Sequence, residues 1–252
     1  MIIKEDIIAD MHTHTVASLH GYSTVYENIC FAEKAGMKYI AITDHVYQNG
    51  DYIFQKNEVT RVKYMEDNVN RHVPVKVIGS AEFNILQTAP MLKRLKKINW
   101  RPIGLHNFNL GIEALSWDEL YEGFEKAAED HNAFCHIERE LEKINRDESK
   151  DGMGQNDRIF LEKIVELAKK KDIFLELNEC SLIPSRANLE RLRYWFKIAS
   201  ENGNKISLGS DAHFCAEVGL FDRALALLNE FNYDKNLILN CDEERVASLL
   251  LH

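Results

Sequence analysis

At 252 residues, 45% of them hydrophobic, the chain is long enough for one substantial α/β core, and its composition gives no reason to expect a second domain. A net charge of -9 excludes long nucleic acids and acidic membranes as principal partners, since both need surplus Lys and Arg. No apolar run approaches the ~20 residues that cross a bilayer. The five cysteines (Cys30, Cys135, Cys180, Cys215, Cys241) are dispersed and never spaced C-x-x-C, and the first six residues lack the pattern of a secretion signal. Both features predict a reduced, cytoplasmic protein.

Strand-like and helix-like segments alternate along the chain. Ile7 to Ala9 leads into Asp10-Met11-His12-Thr13-His14, and Thr24 with Glu27 has the capping-box spacing that opens a helix closing near Gly36. Tyr39 to Ile42 is wholly apolar, as suits a strand buried on both faces, and ends at Thr43-Asp44-His45. Val75 to Ile78 ends in Gly79-Ser80-Ala81-Glu82. A Leu- and Lys-rich helix around 90–98 precedes Pro102 to Leu105, which ends at His106, and Ser116 with Glu119 forms a second capping box. Ala133 to Cys135 ends at His136. The charged stretch from Glu138 to Lys150 reads as a solvated loop, placed to act as a lid. A helix near 157–171 aligns Leu161, Ile164, Val165 and Ala168 in one stripe. Ile173 to Leu177 is the next strand, followed by a helix carrying Leu189, Leu192, Phe196 and Ala199. Ile206 to Ser210 then runs into Asp211-Ala212-His213, ahead of a helix around 217–231 and a short terminal strand and helix.

Seven strands, each ahead of a helix, predict a parallel sheet wound by helices. Candidate ligands lie at nearly every strand end, so a ring is needed to gather them; an open sheet would collect them only at its switch point. The expected fold is α/β, a closed or nearly closed seven-unit barrel spanning residues 1–252 as one domain. No Gly-rich phosphate loop of a nucleotide-binding fold is present.

Seven of the ten histidines stand where an apolar run gives way to polar residues: His12, His14, His20, His45, His106, His136 and His213. Glu82 and Asp211 are placed in the same way. Imidazoles and carboxylates converging at one mouth make a multi-metal site, imidazole being the commonest zinc ligand. His12 and His14, at i and i+2 on an extended segment, point to the same side, as do Asp211 and His213. Two or three divalent ions would offset much of the negative charge and draw in an anionic substrate. Asp10 and Asp44 stand beside proposed ligands, where each either orients an imidazole or caps a strand exit. His72, His131 and His252 read as solvated.

The segments Asp10 to Thr15, Ala17 to Thr24, Ile42-Thr43-Asp44-His45, Gly104-Leu105-His106 and Gly209-Ser210-Asp211-Ala212-His213 resemble, in order and over nearly the whole chain, the PHP (polymerase and histidinol phosphatase) superfamily, in its stand-alone bacterial phosphoesterase branch. The resemblance implies a distorted (β/α)7 TIM-like barrel with three divalent metal ions at the strand C-termini, zinc first, with manganese or iron as alternatives. It assigns His12, His14, Glu82 and Asp211 to one ion, Glu82 again with His106 and His136 to a second, and His20, His45 and His213 to the third. One departure is visible: many relatives have proline after the residue matching His136, and this chain has Ile137.

The expected reaction is hydrolysis of a small phosphomonoester by a metal-activated water. Asp44 is a candidate proton donor to the leaving group, and Arg186 a candidate phosphate clamp, because a guanidinium binds two oxygens at once. A phosphodiesterase or exonuclease acting on nucleotides, an amidohydrolase and a non-catalytic metal-binding module are the alternatives. A homo-oligomer is compatible with all of these readings.

Overall fold

The computed structural model describes residues 1–18, 20–45, 63–85, 98–105, 115–138, 141, 153–183 and 189–250. Most of the helix expected at 90–98, most of the 138–156 stretch, His106, Arg186 and His252 lie outside the described residues.

Two parallel sheets carry the fold. The first contains β1 (Ala9–Thr13), β2 (Tyr39–Ile42) and β3 (Lys76–Gly79). The second contains β4 (Phe83–Asn84), β5 (Pro102–Gly104), β6 (Ala133–Cys135), β7 (Phe174–Asn178) and β8 (Ile206–Gly209), side by side in chain order. β3 matches the strand expected at Val75 to Ile78, and β4, which was not expected, follows its Ser80-Ala81-Glu82 exit and pairs with the second sheet. Nearly every strand residue is buried, which is why these runs are apolar without alternation.

The sheet edges also meet. Glu82 N donates to Asp44 O at 3.2 Å beside the bridge of His45 to Glu82. On the other side, Asp211 N donates to His12 O and His14 N to Ala212 O, both at 2.9 Å. Lower on that seam the side chain of Asn240 replaces the ladder, donating to Ala9 O at 2.7 Å and Leu208 O at 2.9 Å while accepting from Leu208 N at 2.7 Å.

Both capping boxes form. Thr24 and Glu27 open α1 (Val25–Lys34), and Ser116 and Glu119 open α2 (Trp117–Ala127). In α3 (Gln155–Lys171) the expected stripe of Leu161, Ile164, Val165 and Ala168 is buried, each large apolar side chain contributing roughly 1.5–3 kcal/mol. α4 (Leu189–Asn202) buries Leu192, Phe196 and Ala199 and packs on α3, with Arg191 and Asp157 paired at 3.1 Å in the interior between them. α5 (Asp222–Glu230) and α6 (Glu243–Ala247) complete the described helices. None is long and apolar enough to cross a membrane.

Three expectations are corrected. The terminal strand is a single bridge, Ile206 to Ile238, set among 3-10 turns. The stretch read as solvated from Glu138 starts in the interior, with Glu138 and Leu141 buried. His131 is also buried, 3% exposed, with Nδ1 3.1 Å from Arg101 O and its ring 5.1 Å from that of Phe83. Its position at a helix end gave no hint that β6 would immediately carry the chain inward.

Candidate metal centre

At the C-terminal ends of the strands, three donor groups form among the described residues, each with its ligand atoms within 4.8 Å of one another: His12, His14 and Asp211; His12, Glu82, Cys135 and His136; and His14, His45 and His213. Five strands and their exits, β1, β2, β3, β6 and β8, supply them. His20 is exposed and sits at the outer edge, its ring 5.0 Å from His45 and 4.5 Å from His213. Eight of the nine ligands expected from the sequence are thus brought together, and the ninth, His106, lies outside the described residues.

Local backbone features aim these side chains. β1 gains one residue against β2 between Asp10 and Thr13, a bulge that re-aims His12. His136 and Asp211 adopt left-handed backbone, with φ of 52° and 56°, a conformation that costs non-glycine residues on the order of 1–3 kcal/mol and gathers at functional sites. Gly209 on β8 is required by space, because a Cβ there would lie 2.4 Å from His12 Cβ and 3.1 Å from Glu176 Cδ.

The protons can be placed from the hydrogen bonds. His12 Nδ1 donates to the Glu176 carboxylate at 2.9 Å. Ser18 Oγ donates to Asp44 Oδ1 at 2.7 Å, so its oxygen accepts from His14 Nδ1 at 2.9 Å. With each Nδ1 proton committed outward, both Nε2 lone pairs face inward, and they stand 3.0 Å apart. Glu82 Oε2 lies 3.3 Å and 3.5 Å from these two nitrogens, and Asp211 Oδ1 lies 3.1 Å from that of His14. Only a positive charge satisfies lone pairs and carboxylates converging on one buried point. His213 shows the same need: Nδ1 donates to Asp211 O at 2.9 Å, leaving Nε2 buried with no hydrogen-bond partner.

Electrostatics favour the cation-binding form at most of these groups, with His12 the exception. Burial opposes charge on His12, but Glu176 and Glu82 outweigh it and hold its pKa well above the usual imidazole value, so a bound cation would take the place of its Nε2 proton. Burial alone would raise Asp211, yet His136, His14 and His12 hold it well below the usual carboxylate range. Burial, then the neighbouring His45, push His14 down to about 3, and the same two causes take His20 to about 4. A neutral imidazole and an ionised carboxylate are the forms that bind a cation.

The two flanking aspartates cap loops. Asp10 accepts from Ser210 N at 3.0 Å, Gly219 N at 2.9 Å and His12 N at 3.3 Å; burial raises its pKa to about 6. Asp44 accepts from Thr15 N, Thr15 Oγ1 and Ser18 Oγ at 2.7–2.8 Å, so it reaches His14 through Ser18. Sequence reasoning missed Glu176, which orients His12, Asn178, which donates to Glu176 at 2.9 Å, and Cys135. A charged residue inside the otherwise apolar run Ile173 to Leu177 was the available signal for the first.

No family model matches the chain. It is 29% identical to a probable phosphatase of Caldanaerobacter subterraneus subsp. tengcongensis, covering 98% of this chain and 92% of the relative, and 26% identical to a probable phosphatase of Acetivibrio thermocellus, covering 94% and 92%. Its fold is shared by a histidinol phosphate phosphatase from Lactococcus lactis subsp. lactis, solved with zinc, L-histidinol and phosphate, at a TM-score of 0.62 and 15% identity over 90% of this chain and 94% of that one. Site and relatives together define a metal-dependent hydrolase. The ordered motifs resemble those of the PHP superfamily, and the fold is shared with the histidinol phosphate phosphatase.

Proposed function

We propose that the chain hydrolyses a small phosphomonoester at a centre of three divalent ions, zinc first, built on a distorted (β/α)7 barrel that spans residues 1–252 and works in the cytoplasm. The observation that carries this reading is the inward convergence of imidazole lone pairs and carboxylates whose outward protons are already committed. The sheet edges joined through Asp211, His14 and Glu82 support barrel closure. The phosphatase relatives and the L-histidinol and phosphate held by the structural neighbour support the substrate class.

Bound divalent ions supply Lewis-acid activation of water and neutralise charge on the transferred phosphoryl group. His12, His14, Glu82, Asp211, His136, His45, His213, His20 and His106 would hold them. Glu176 fixes the His12 ring and its tautomer, and the Asp44–Ser18 pair does the same for His14. This gives Asp44 a positioning task in the proposal. Arg186, which follows β7 in the sequence, remains the proposed phosphate clamp.

Purified protein assayed for phosphate release on a phosphomonoester panel with zinc, manganese or magnesium tests the reading. Release from monoesters, with none from diesters and no ammonia from amides or nucleobases, is the expected result. Hydrolysis confined to diesters or amides would replace it.

A further inference from the structure

Cys135 brings a sulfur into the centre that strand geometry alone would send elsewhere. Successive strand residues point to opposite faces, so with His136 facing the donors, Cys135 is expected on the far side of β6. The left-handed backbone at His136, φ 52°, breaks that alternation at the strand exit. Both side chains then reach the same oxygen: Glu82 Oε1 lies 3.4 Å from Cys135 Sγ and 3.5 Å from His136 Nε2. Cys135 is fully buried, and its Sγ lies within 4.8 Å of donor atoms of His12, Glu82 and His136. Among the described residues, no other cysteine takes part in a donor group of this kind.

The geometry points to Cys135 as a direct sulfur ligand of the ion held between Glu82 and His136. This rests on the metal-centre reading above and extends it by placing a soft donor among imidazoles and carboxylates. Thiolate favours zinc over manganese and magnesium, so Cys135 sets which metal the centre selects. As the sulfur–metal bond forms, the thiol proton passes to solvent, and the thiol's hydrogen bond to Glu82 is exchanged for coordination of the same ion.

Cobalt(II) is a suitable probe because sulfur ligation gives it a near-ultraviolet charge-transfer absorption. Wild-type protein loaded with cobalt, with the metal counted per chain, should show that band. Cys135→Ser and Cys135→Ala should lose it while retaining cobalt, and Cys241→Ser should keep it. In zinc-against-manganese competition the preference for zinc should fall at least about tenfold in the Cys135 variants, the scale seen when even outer partners of a metal site are removed. Should neither variant fold, zinc X-ray absorption on the wild type still decides: a sulfur shell at ~2.3 Å is expected. Bound metal with only nitrogen and oxygen around it, or a cobalt band that survives loss of Cys135, overturns the sulfur ligand and leaves the metal centre standing. Failure of the wild type to bind cobalt, zinc or manganese overturns both.

Discussion

The two ends of the strand array bury histidine for opposite purposes. At the N-terminal end, His131 is enclosed just ahead of β6 with Arg101 O and the Phe83 ring as its neighbours, and burial pushes its pKa down to about 4. Its Nε2 is buried without a partner, as is that of His213 at the other end. The difference lies in the company. His213 belongs to a group with His14 and His45, beside Asp211 and Glu82, whereas among the described residues no such donor group includes His131. A buried imidazole with an orphan nitrogen is therefore not a site by itself; convergence of several, with acids among them, is what demands a cation.

Removing a central acid or imidazole at the C-terminal end should break this contrast most severely. Asp211→Ala and His14→Ala are each expected to lower phosphate release by at least about a thousandfold, since each removes a donor the ions need, while far-ultraviolet circular dichroism stays native. Near-wild-type turnover in either variant would remove that residue from the centre.

At the other end the expected effect is on stability. His131 has a folded pKa near 4 against an ordinary value of 6.5, so the unfolded chain binds the extra proton and stability falls as pH drops from about 6.5 toward 4. The sign is set by the neutral form being the buried one. Up to about 3 kcal/mol should be lost between pH 7 and pH 4 through this group. His131→Gln keeps a donor for Arg101 O and does not titrate. In urea unfolding of metal-stripped protein, the wild type should lose more stability than this variant over that range, and an equal loss in both would show that His131 is not the acid-sensitive group.

Glu176 tests a smaller step. Glu176→Gln keeps an acceptor for His12 but withdraws the charge, and metal affinity measured against a chelator should fall about 10–100-fold. Smallest is His20→Ala, because that ring is exposed and lies outside the three tight groups; a loss of no more than about tenfold in turnover is expected, and abolition of activity would move His20 to the middle of the site.

Much of this was legible in the sequence for a simple reason. Strand exits are short, their apolar-to-polar boundary is sharp, and residues such as His12, His45 and Asp211 stand right on it. The capping boxes at Thr24 and Ser116 were readable because they are local. What escaped depends on non-local packing or on backbone torsion. Glu176 lies within a strand and reaches His12 only because Gly209 leaves space between them. Cys135 joins the donors through the left-handed turn at His136, and no composition or period announces a positive φ. His131 looked solvated because the burial of a helix end is decided by what packs over it.

The most direct test is a count of divalent ions per chain after loading with zinc and removing the excess, made on wild type and on Asp211→Ala. The account predicts about three ions in the wild type and fewer in the variant. A well-folded wild-type chain that retains none, with zinc and manganese each supplied, would contradict it.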